Sequence, residues 1–386
     1  MNQQGGNENG KSRSKNEEIN NVDTVENPAL VVAWSGFFLA LIFGFMANKT
    51  SFCTMGAVSD VVNMGDWGRM RAWLLGIGLA ILGTNILAYM TMVDLSQAYY
   101  TRGTVHWLAA LVGGLTFGLG MTLAGGCGQR TLVRLGGGNL KSIVVFIFLG
   151  YTALVTMNGI LRIFVDSVLR ADAVTLQLDG LQTLPHLLGM TDKMSHLAVA
   201  IVLSLLILAF VFANKEFRQN RDNLLAGFVV GGIVVAGWYA TGHLGFGEDP
   251  ETMELAYLGT DSRGPESMTF VGPLAYTMDL WAYWRDKRIT FGVASVFGII
   301  VGSFIYSLLS RSFRWEYFNS PQDMFRHILG AVLMGFGGIT AMGCTIGQAV
   351  TGVSTLAISS FIVFFGIVAG SAITMRIQYY LMMRDA

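Results

Sequence analysis

Two glycine-rich stretches decide the fold: LVGGLTFGLGMTLAGGCG at residues 111–128 and ILGAVLMGFGGITAMGCT at residues 328–345. Aligned at an offset of 217, they are identical at six of 18 positions. The identical pairs are Gly113/Gly330, Gly118/Gly335, Gly120/Gly337, Ala124/Ala341, Gly126/Gly343 and Cys127/Cys344. Each stretch is an apolar run that ends in a Gly-Cys pair and is followed by another apolar run. The chain is therefore predicted to contain an internal repeat of membrane helices.

The composition agrees with a membrane protein. The 386 residues are 53% apolar and only 13% charged, with 48 glycines and a mean hydropathy of +0.52. Soluble domains carry about 25% charged residues. This excludes a soluble fold, a secreted disulfide scaffold and a disordered chain, and it makes the lipid bilayer a partner. The 25 basic and 25 acidic residues cancel, so no nucleic-acid partner is expected.

The fold class predicted is all-α: a polytopic membrane protein of about nine transmembrane helices, with short re-entrant half-helices between them. Helices are expected because backbone polar groups in lipid must be satisfied within the segment. Apolar runs long enough or nearly long enough to cross lie near residues 30–47, 73–92, 106–124, 142–165, 196–214, 224–241, 290–310, 327–342 and 356–377.

The predicted domain organisation is two inverted pseudo-repeats. One extra crossing between the repeats reverses the orientation of the second, and transporters commonly bind substrate where such repeats meet. The divisions are a disordered polar tail (1–27), a first repeat (28–165), a connector (166–223), a second repeat (224–377) and a C-terminal tail (378–386).

The basic residues predict the orientation. Lys and Arg are enriched in cytoplasmic loops, and nine crossings with the N-terminus outside and the C-terminus in the cytoplasm place most of them inside. These are Arg69, Arg71, Arg130, Arg134, Lys141, Lys215, Arg218, Arg221, Arg311, Arg314, Arg326, Arg376 and Arg384. The predicted outer loop 243–289 is rich in acidic residues, and its role stays open.

The candidate site consists of the three cysteines, Cys53, Cys127 and Cys344. Each begins a short glycine-containing stretch after an apolar run, and non-helical backbone at membrane depth survives only where it is buried or lines a cavity. Half-helices starting there would direct backbone N–H groups at an anion. A polarizable thiol, a weak donor, favours an anion with a soft sulfur over sulfate, so the three cysteines are predicted to line a substrate path.

Nine further residues are expected to support this path: Lys49, Gly126, Gly128, Gln129, Arg130, Gly343, Thr345, Gly347 and Gln348. The glycines remove side chains beside the sulfurs, Lys49 and Arg130 supply positive charge, and the two glutamines are neutral donors in corresponding parts of the repeats. Arg134 is interpreted as an anchor in the headgroup region. Aligning Gly36 with Gly227 places His243 and Leu244 near the position equivalent to Cys53, so the site is predicted to be asymmetric.

The sequence contains no motif typical of metal binding or of catalysis. The histidines and methionines are scattered, so no metal site is predicted. No phosphate-binding loop, nucleophile–base pair or paired carboxylates lie in the apolar zone. We therefore expect no cofactor and no enzyme activity.

The cysteine motifs resemble those of the YeeE/YedE family of bacterial inner-membrane proteins. The resemblance lies in Phe52-Cys53-x-x-Gly56-Ala57-x-x-Asp60, in Gly126-Cys127 with its upstream glycines, and in Gly343-Cys344-x-x-Gly347. It runs over most of residues 30–377. It implies uptake of thiosulfate or a related reduced sulfur anion along the three cysteines, with a cytoplasmic sulfur-carrier protein as a partner inside the cell.

Three alternatives stay open at this point. Some members of the family are associated with selenium metabolism, so the substrate can be a selenium compound. A membrane sulfurtransferase would form a persulfide on one cysteine, with Lys49 activating the thiolate. A permease for a soft metal is the third. The sequence identifies neither a coupling ion nor an oligomeric state.

Overall fold

The computed structural model describes residues 27–250, 252–283 and 289–384. The predicted polar tail therefore lies outside the described residues except for Asn27. In chain order the α-helices are α1 (Pro28–Lys49), α2 (Thr54–Ser59), α3 (Gly68–Tyr89), α4 (Trp107–Leu123), α5 (Gly128–Gly136), α6 (Lys141–Asn158), α7 (Ile160–Phe164), α8 (Leu184–Leu187), α9 (Lys193–Phe212), α10 (Lys215–Gln219), α11 (Arg221–Tyr239), α12 (Val271–Tyr283), α13 (Phe291–Leu309), α14 (Pro321–Thr340) and α15 (Ile358–Arg384).

The remaining regular structure is short. Turns of π-helix form at Asp60–Met64, Val165–Leu169, Ala240–Leu244 and Gly347–Gly352, and 3-10 turns at Leu95–Gln97 and Asp172–Val174. Four strands form two antiparallel pairs: β1 (Thr104–Val105) with β2 (Leu176–Gln177), and β3 (Phe246–Glu248) with β4 (Leu255–Tyr257). All four lie in loops between the long helices.

The all-α polytopic fold class is confirmed. Eight helical segments of the described chain are long and apolar enough to cross a membrane. The ninth long helix, α14, has 20 residues and carries Asp323, Arg326 and His327 in its first two turns. We call the end of the bundle where α1 begins the N face, and the end where α15 finishes the C face.

Two predicted crossings have different ends in the structure. The run 142–165 breaks at Gly159, so α6 stops at Asn158 and residues from Ile160 form a separate short helix. The last crossing is longer than expected, because α15 extends through the predicted C-terminal tail to Arg384.

The glycine repeat builds a symmetric crossing between α4 and α14. A methyl group at Gly113 would lie 2.6 Å from the Ala341 amide nitrogen and 2.8 Å from the Gly337 carbonyl oxygen. The counterpart, Gly330, would bring a methyl group within 2.6 Å of both the Ala124 nitrogen and the Gly120 oxygen. Gly120 and Ala124 are the repeat partners of Gly337 and Ala341. Each contact that Gly113 makes with α14 therefore has an equivalent contact that Gly330 makes with α4. The two helices are therefore related by a pseudo-twofold axis.

The same symmetry relates other helix pairs. Helix α1 of the first repeat packs in parallel along α13 of the second, where Gly44 meets Ile299 and Gly302 meets Leu41. Correspondingly, α11 of the second repeat packs in parallel along α3 of the first, with Gly227 against Leu75. Small residues let these backbones approach closely, which is the usual basis of helix association in membranes.

The C face gathers most of the basic residues. Arg69 and Arg71 begin α3, Lys141 begins α6 and pairs with Asp323 at 2.7 Å, and Arg376 near the end of α15 donates to the Val62 carbonyl oxygen. The segments 215–221 and 311–314 join the helices that meet at this face. The basic clusters named in the sequence therefore lie on one side of the bundle.

Candidate functional site

Each cysteine stands at the start of a half-helix. Cys53 precedes the continuous helical segment 54–64, Cys127 precedes α5, and Cys344 precedes residues 345–354. The Cys53 sulfur accepts the Gly56 amide at 3.5 Å and the Cys344 sulfur accepts the Gly347 amide at 3.4 Å. These bonds satisfy helix N-termini that would otherwise be unpaired. All three thiols are free and buried.

The three half-helix starts meet inside the bundle. Gln129 donates its side-chain amide to the Phe52 carbonyl oxygen at 3.4 Å, and the Cys127 thiol lies 3.7 Å from Gln129 Oε1. Cys127 also lies within electrostatic range of Cys53 and Cys344, and the Thr345 hydroxyl faces its sulfur. Residues from three distant parts of the sequence thus form one buried cluster, which we call the thiol cluster (Cys53, Cys127 and Cys344).

A fourth half-helix completes the arrangement. α12 begins at Val271, and Thr269 just before it places its hydroxyl 3.9 Å from the Cys344 sulfur. The expectation that His243 and Leu244 occupy the position equivalent to Cys53 is wrong, because α11 continues there into a π-helical turn and no half-helix begins. Residues 245–250 and 252–266 belong to an inserted loop, and the counterpart of the Cys53 half-helix begins only after it. The predicted asymmetry remains, since a threonine stands near the position of a thiol.

The cations are distributed differently from the expectation. Lys49 is exposed at the C-face end of α1, and no described hydrogen bond or ion pair joins it to a thiol. Arg130 is half-buried and packs against Gly126. Arg134, interpreted above as a headgroup anchor, is half-buried within electrostatic range of Cys53 and Cys127. Arg134 lies seven residues after Cys127, which is about two helical turns. This spacing places both residues on one face of the half-helix and could have been recognised in the sequence.

The supporting glycines and glutamines hold the backbone in place. Gly128 opens α5 against Val271 and Leu274, and a methyl group at Gly347 would collide with the Thr269 hydroxyl. A methyl group at Gly343 would lie 2.9 Å from Gln348. The Gln348 amide donates to the Ala341 carbonyl oxygen at 2.6 Å, and its oxygen accepts the Ser360 hydroxyl at 2.6 Å. Gln348 therefore fastens the Cys344 half-helix to α15.

A cavity of about 320 Å³ lies on the N-face side of the cluster, next to Cys344. Its lining includes Tyr99, Arg102, Arg170, Glu266, Thr269 and Gly343. Arg170 donates to the Ile339 and Thr340 carbonyl oxygens, and its Nε has no partner among the described residues. We call this space the vestibule. Its basic residues were not singled out from the sequence, because the break at Gly159 that places Arg170 there was not predicted.

Glu266 is the buried acid of the vestibule. Its carboxyl oxygens accept the Asp261 and Ser262 amides at 3.3 and 3.2 Å. Burial, together with the nearby Asp261 carboxyl, raises the pKa of Glu266 to about 8. In the segments that the structure describes, no group of three or more His, Cys, Asp or Glu side chains is arranged to hold a metal ion.

The arrangement of helices and half-helices defines a class of protein. An inverted repeat whose broken helices meet at the centre of a membrane bundle is the architecture of a membrane transporter. A family described as "Sulphur transport" matches residues 49–373, and the chain belongs to that family.

Two curated relatives agree with this assignment. The thiosulfate transporter TsuA of Escherichia coli is 27% identical over 338 residues, which cover 81% of this chain and 85% of the relative. The thiosulfate transporter TsuA of Spirochaeta thermophila is 23% identical over 342 residues, covering 86% of this chain and 95% of the relative.

Proposed function

We propose that this protein takes up thiosulfate, or a closely related reduced sulfur anion, along a path that passes Cys344, Cys127 and Cys53. The observation that carries the proposal is the thiol cluster itself. Three thiols, separated by up to hundreds of residues in the sequence, meet where half-helices from both faces begin. Both curated relatives are named as thiosulfate transporters, which supports the choice of substrate.

The chemistry of the cluster suits this anion. Thiosulfate has a soft terminal sulfur, which accepts weak S–H donors, and its negative charge is stabilised by helix N-termini. Arg134 adds a cation within electrostatic range of Cys53 and Cys127. Conduction requires several weak sites in series rather than one tight site. Three thiols in succession would supply such a series without a covalent intermediate.

The alternative of a persulfide-forming enzyme finds less support. A nucleophilic cysteine needs a neighbouring base or cation to form its thiolate. In the described chain, the hydrogen-bond partners of the three thiols are backbone amides, the Gln129 amide and the Thr269 hydroxyl. These partners are all neutral, and Lys49 is exposed at the end of α1. Arg134 is a cation within electrostatic range of two thiols, but no described hydrogen bond joins it to either of them.

Uptake of radiolabelled thiosulfate by the purified protein in liposomes tests the proposal. We expect accumulation that unlabelled thiosulfate suppresses and sulfate does not. Failure to take up thiosulfate, with uptake of a selenium analogue instead, would assign the selenium substrate. A persulfide adduct detected by mass spectrometry after exposure to thiosulfate, without transport, would favour the sulfurtransferase.

We further propose that the N face is outside and the C face is cytoplasmic, in a bacterial inner membrane. The concentration of Lys and Arg at the C face supports this orientation. A cytoplasmic sulfur-carrier protein would then receive the product there. In intact cells, a membrane-impermeant maleimide should label a Ser96→Cys variant at the N face and spare Ser310→Cys at the C face. The native cysteines are buried, so they give a low background. Labelling of Ser310→Cys alone would reverse the orientation.

A further inference from the structure

The sequence Cys-Thr-x-Gly begins two half-helices, at residues 53–56 and 344–347. In both, the sulfur accepts the amide of the glycine three residues later, at 3.5 and 3.4 Å. This bond uses a sulfur lone pair and leaves the S–H proton for another acceptor. The two segments belong to different repeats and reach the cluster from opposite faces. The same local structure therefore presents a thiol and a threonine on both sides of the cluster.

Neither threonine hydroxyl is satisfied by the protein. Thr54 is 3% exposed and Thr345 is fully buried, and neither Oγ1 has an oxygen or nitrogen partner among the described residues. The Thr345 hydroxyl faces only the Cys127 sulfur, which is a weak acceptor. Leaving a buried hydroxyl unpaired costs free energy. A helical threonine usually avoids this by bonding to the carbonyl oxygen four residues earlier. Thr131, in the same cluster, does so with the Cys127 carbonyl oxygen at 3.1 Å. Neither hydroxyl therefore has a strong acceptor in the described chain, and an oxygen of a bound anion would supply one.

Two threonine hydroxyls lie beside thiols, and a third threonine follows a cysteine in the sequence. The Thr345 hydroxyl faces the Cys127 sulfur, and Thr54 follows Cys53 directly in the sequence. At the vestibule, the Thr269 hydroxyl lies 3.9 Å from the Cys344 sulfur. Threonine hydroxyls thus lie near Cys127 and Cys344, and Thr54 is the neighbour of Cys53 in the sequence. A thiol is a weak, soft donor, whereas a hydroxyl is a stronger donor to an oxygen atom.

We infer that Thr345 and Thr54 are specificity residues that bind the oxygen end of the anion while a neighbouring thiol holds its sulfur end. The inference rests on the proposed function and names the feature of the substrate that is recognised: an anion with both a soft sulfur and sulfonate-type oxygens. The transported anion supplies the partner that each buried hydroxyl lacks. Thr269 would offer the same contact at the entrance from the vestibule.

Replacing Thr345 with valine tests this, because valine keeps the shape and removes the hydroxyl. We expect Vmax/KM for thiosulfate uptake in liposomes to fall about tenfold, the loss typical of one hydrogen bond to a charged group. The melting temperature should stay unchanged or rise, since an unsatisfied buried hydroxyl is removed. Thr345→Ser restores a hydroxyl and should recover most of the uptake. Thr54→Val is expected to behave like Thr345→Val.

Thr84→Val is the matched control. Thr84 is also fully buried with an unpartnered hydroxyl, but it lies in α3 and no described contact joins it to a thiol. We expect normal uptake from this variant. Normal uptake by Thr345→Val, equal losses from Thr345→Val and Thr345→Ser, or a lowered melting temperature with reduced uptake would each overturn the inference.

A second variant covers the case in which Thr345→Val does not fold. Thr269 is only half-buried, so Thr269→Val changes packing less, and we expect it to raise KM several-fold. Unchanged KM in that variant would also overturn the inference. Failure of the proposed function looks different, because the unmodified protein would then take up no thiosulfate.

Discussion

In the first repeat both half-helices begin at a cysteine, Cys53 or Cys127, whereas in the second repeat one begins at Cys344 and the other follows Thr269. The backbone scaffold is nevertheless shared, because α4 and α14 exchange equivalent glycine contacts. Helix packing thus preserves the symmetry while the side chains at the centre break it. On the proposed path, a substrate entering from the vestibule would meet a hydroxyl and one thiol before the two thiols of the first repeat, so the two ends of the path would differ chemically.

The largest expected effect comes from the thiols that the repeat relates to each other. We expect Cys127→Ala and Cys344→Ala each to reduce thiosulfate uptake in liposomes to background, because each removes one step of the series. Losing one sulfur from a buried side chain should cost only about 1 kcal/mol of folding free energy. Thermal melting of the purified variants provides the control. Full uptake by either variant would show that the related thiols are structural.

The next largest effect concerns Cys53. The equivalent half-helix in the second repeat follows Thr269 and has no cysteine. Cys53→Ser keeps a donor and a cap for the Gly56 amide but removes the soft sulfur. We expect most of the uptake to be lost at equal membrane abundance, with the melting temperature unchanged. Cys53→Ala, which also loses the cap, should lose as much uptake and some stability. If the serine variant transports normally, the path needs only the two thiols that the repeat relates.

A smaller effect tests the symmetric scaffold. Gly113→Ala and Gly330→Ala each force a methyl group to within 2.6 Å of a facing backbone nitrogen. We expect both to lower the free energy of unfolding by about 1–3 kcal/mol, the usual cost of overpacking, and by similar amounts. Gly232→Ala is the control, because a methyl group there has no atom within 4 Å. Clearly unequal losses from Gly113 and Gly330 would contradict the twofold relation.

The smallest expected effect concerns the pH dependence of stability. It arises from Glu266, which precedes the half-helix of the second repeat that lacks a cysteine. The folded protein keeps the proton on Glu266 up to about pH 8, while an unfolded glutamate loses it near its ordinary pKa of 4.5. The folded state therefore binds more protons between these values, and its stability falls as the pH rises through this range. Asp261, Arg102 and Arg170 share the vestibule and contribute charge of their own.

We expect Glu266→Gln to flatten this pH dependence, because glutamine fits the site and does not ionise. Melting temperatures of both proteins at pH 6 and pH 9 measure the effect. The unmodified protein should lose more stability than the variant on going to pH 9. Equal losses would show that another group causes the pH dependence.

The sequence determined the membrane class, the approximate positions of the long helices and the breaks that precede the three cysteines, but not the break at Gly159. Apolar length fixes where a chain can cross lipid, and Gly-Cys pairs after such runs mark where regular helix ends. The same reasoning identified the three cysteines as the candidate site and the glycine stretches as a repeat. These properties follow from the order of the residues, so they can be recognised without knowing which segments are neighbours in space.

Only the tertiary structure decided which of these segments meet. Thr269 is 75 residues from Cys344 in the sequence, and the inserted loop 245–266 conceals its equivalence to the Cys53 segment. Arg134 and Arg170 carry the same charge as the exposed Lys49, yet Arg134 lies near the cluster and Arg170 lines the vestibule, whereas no described contact joins Lys49 to a thiol. Unpaired hydroxyls at Thr54 and Thr345 are likewise visible only once every possible partner is in place. Hydropathy identifies which segments lie in the membrane. Which side chains contact one another depends on the distances between segments, and these are set by helix packing.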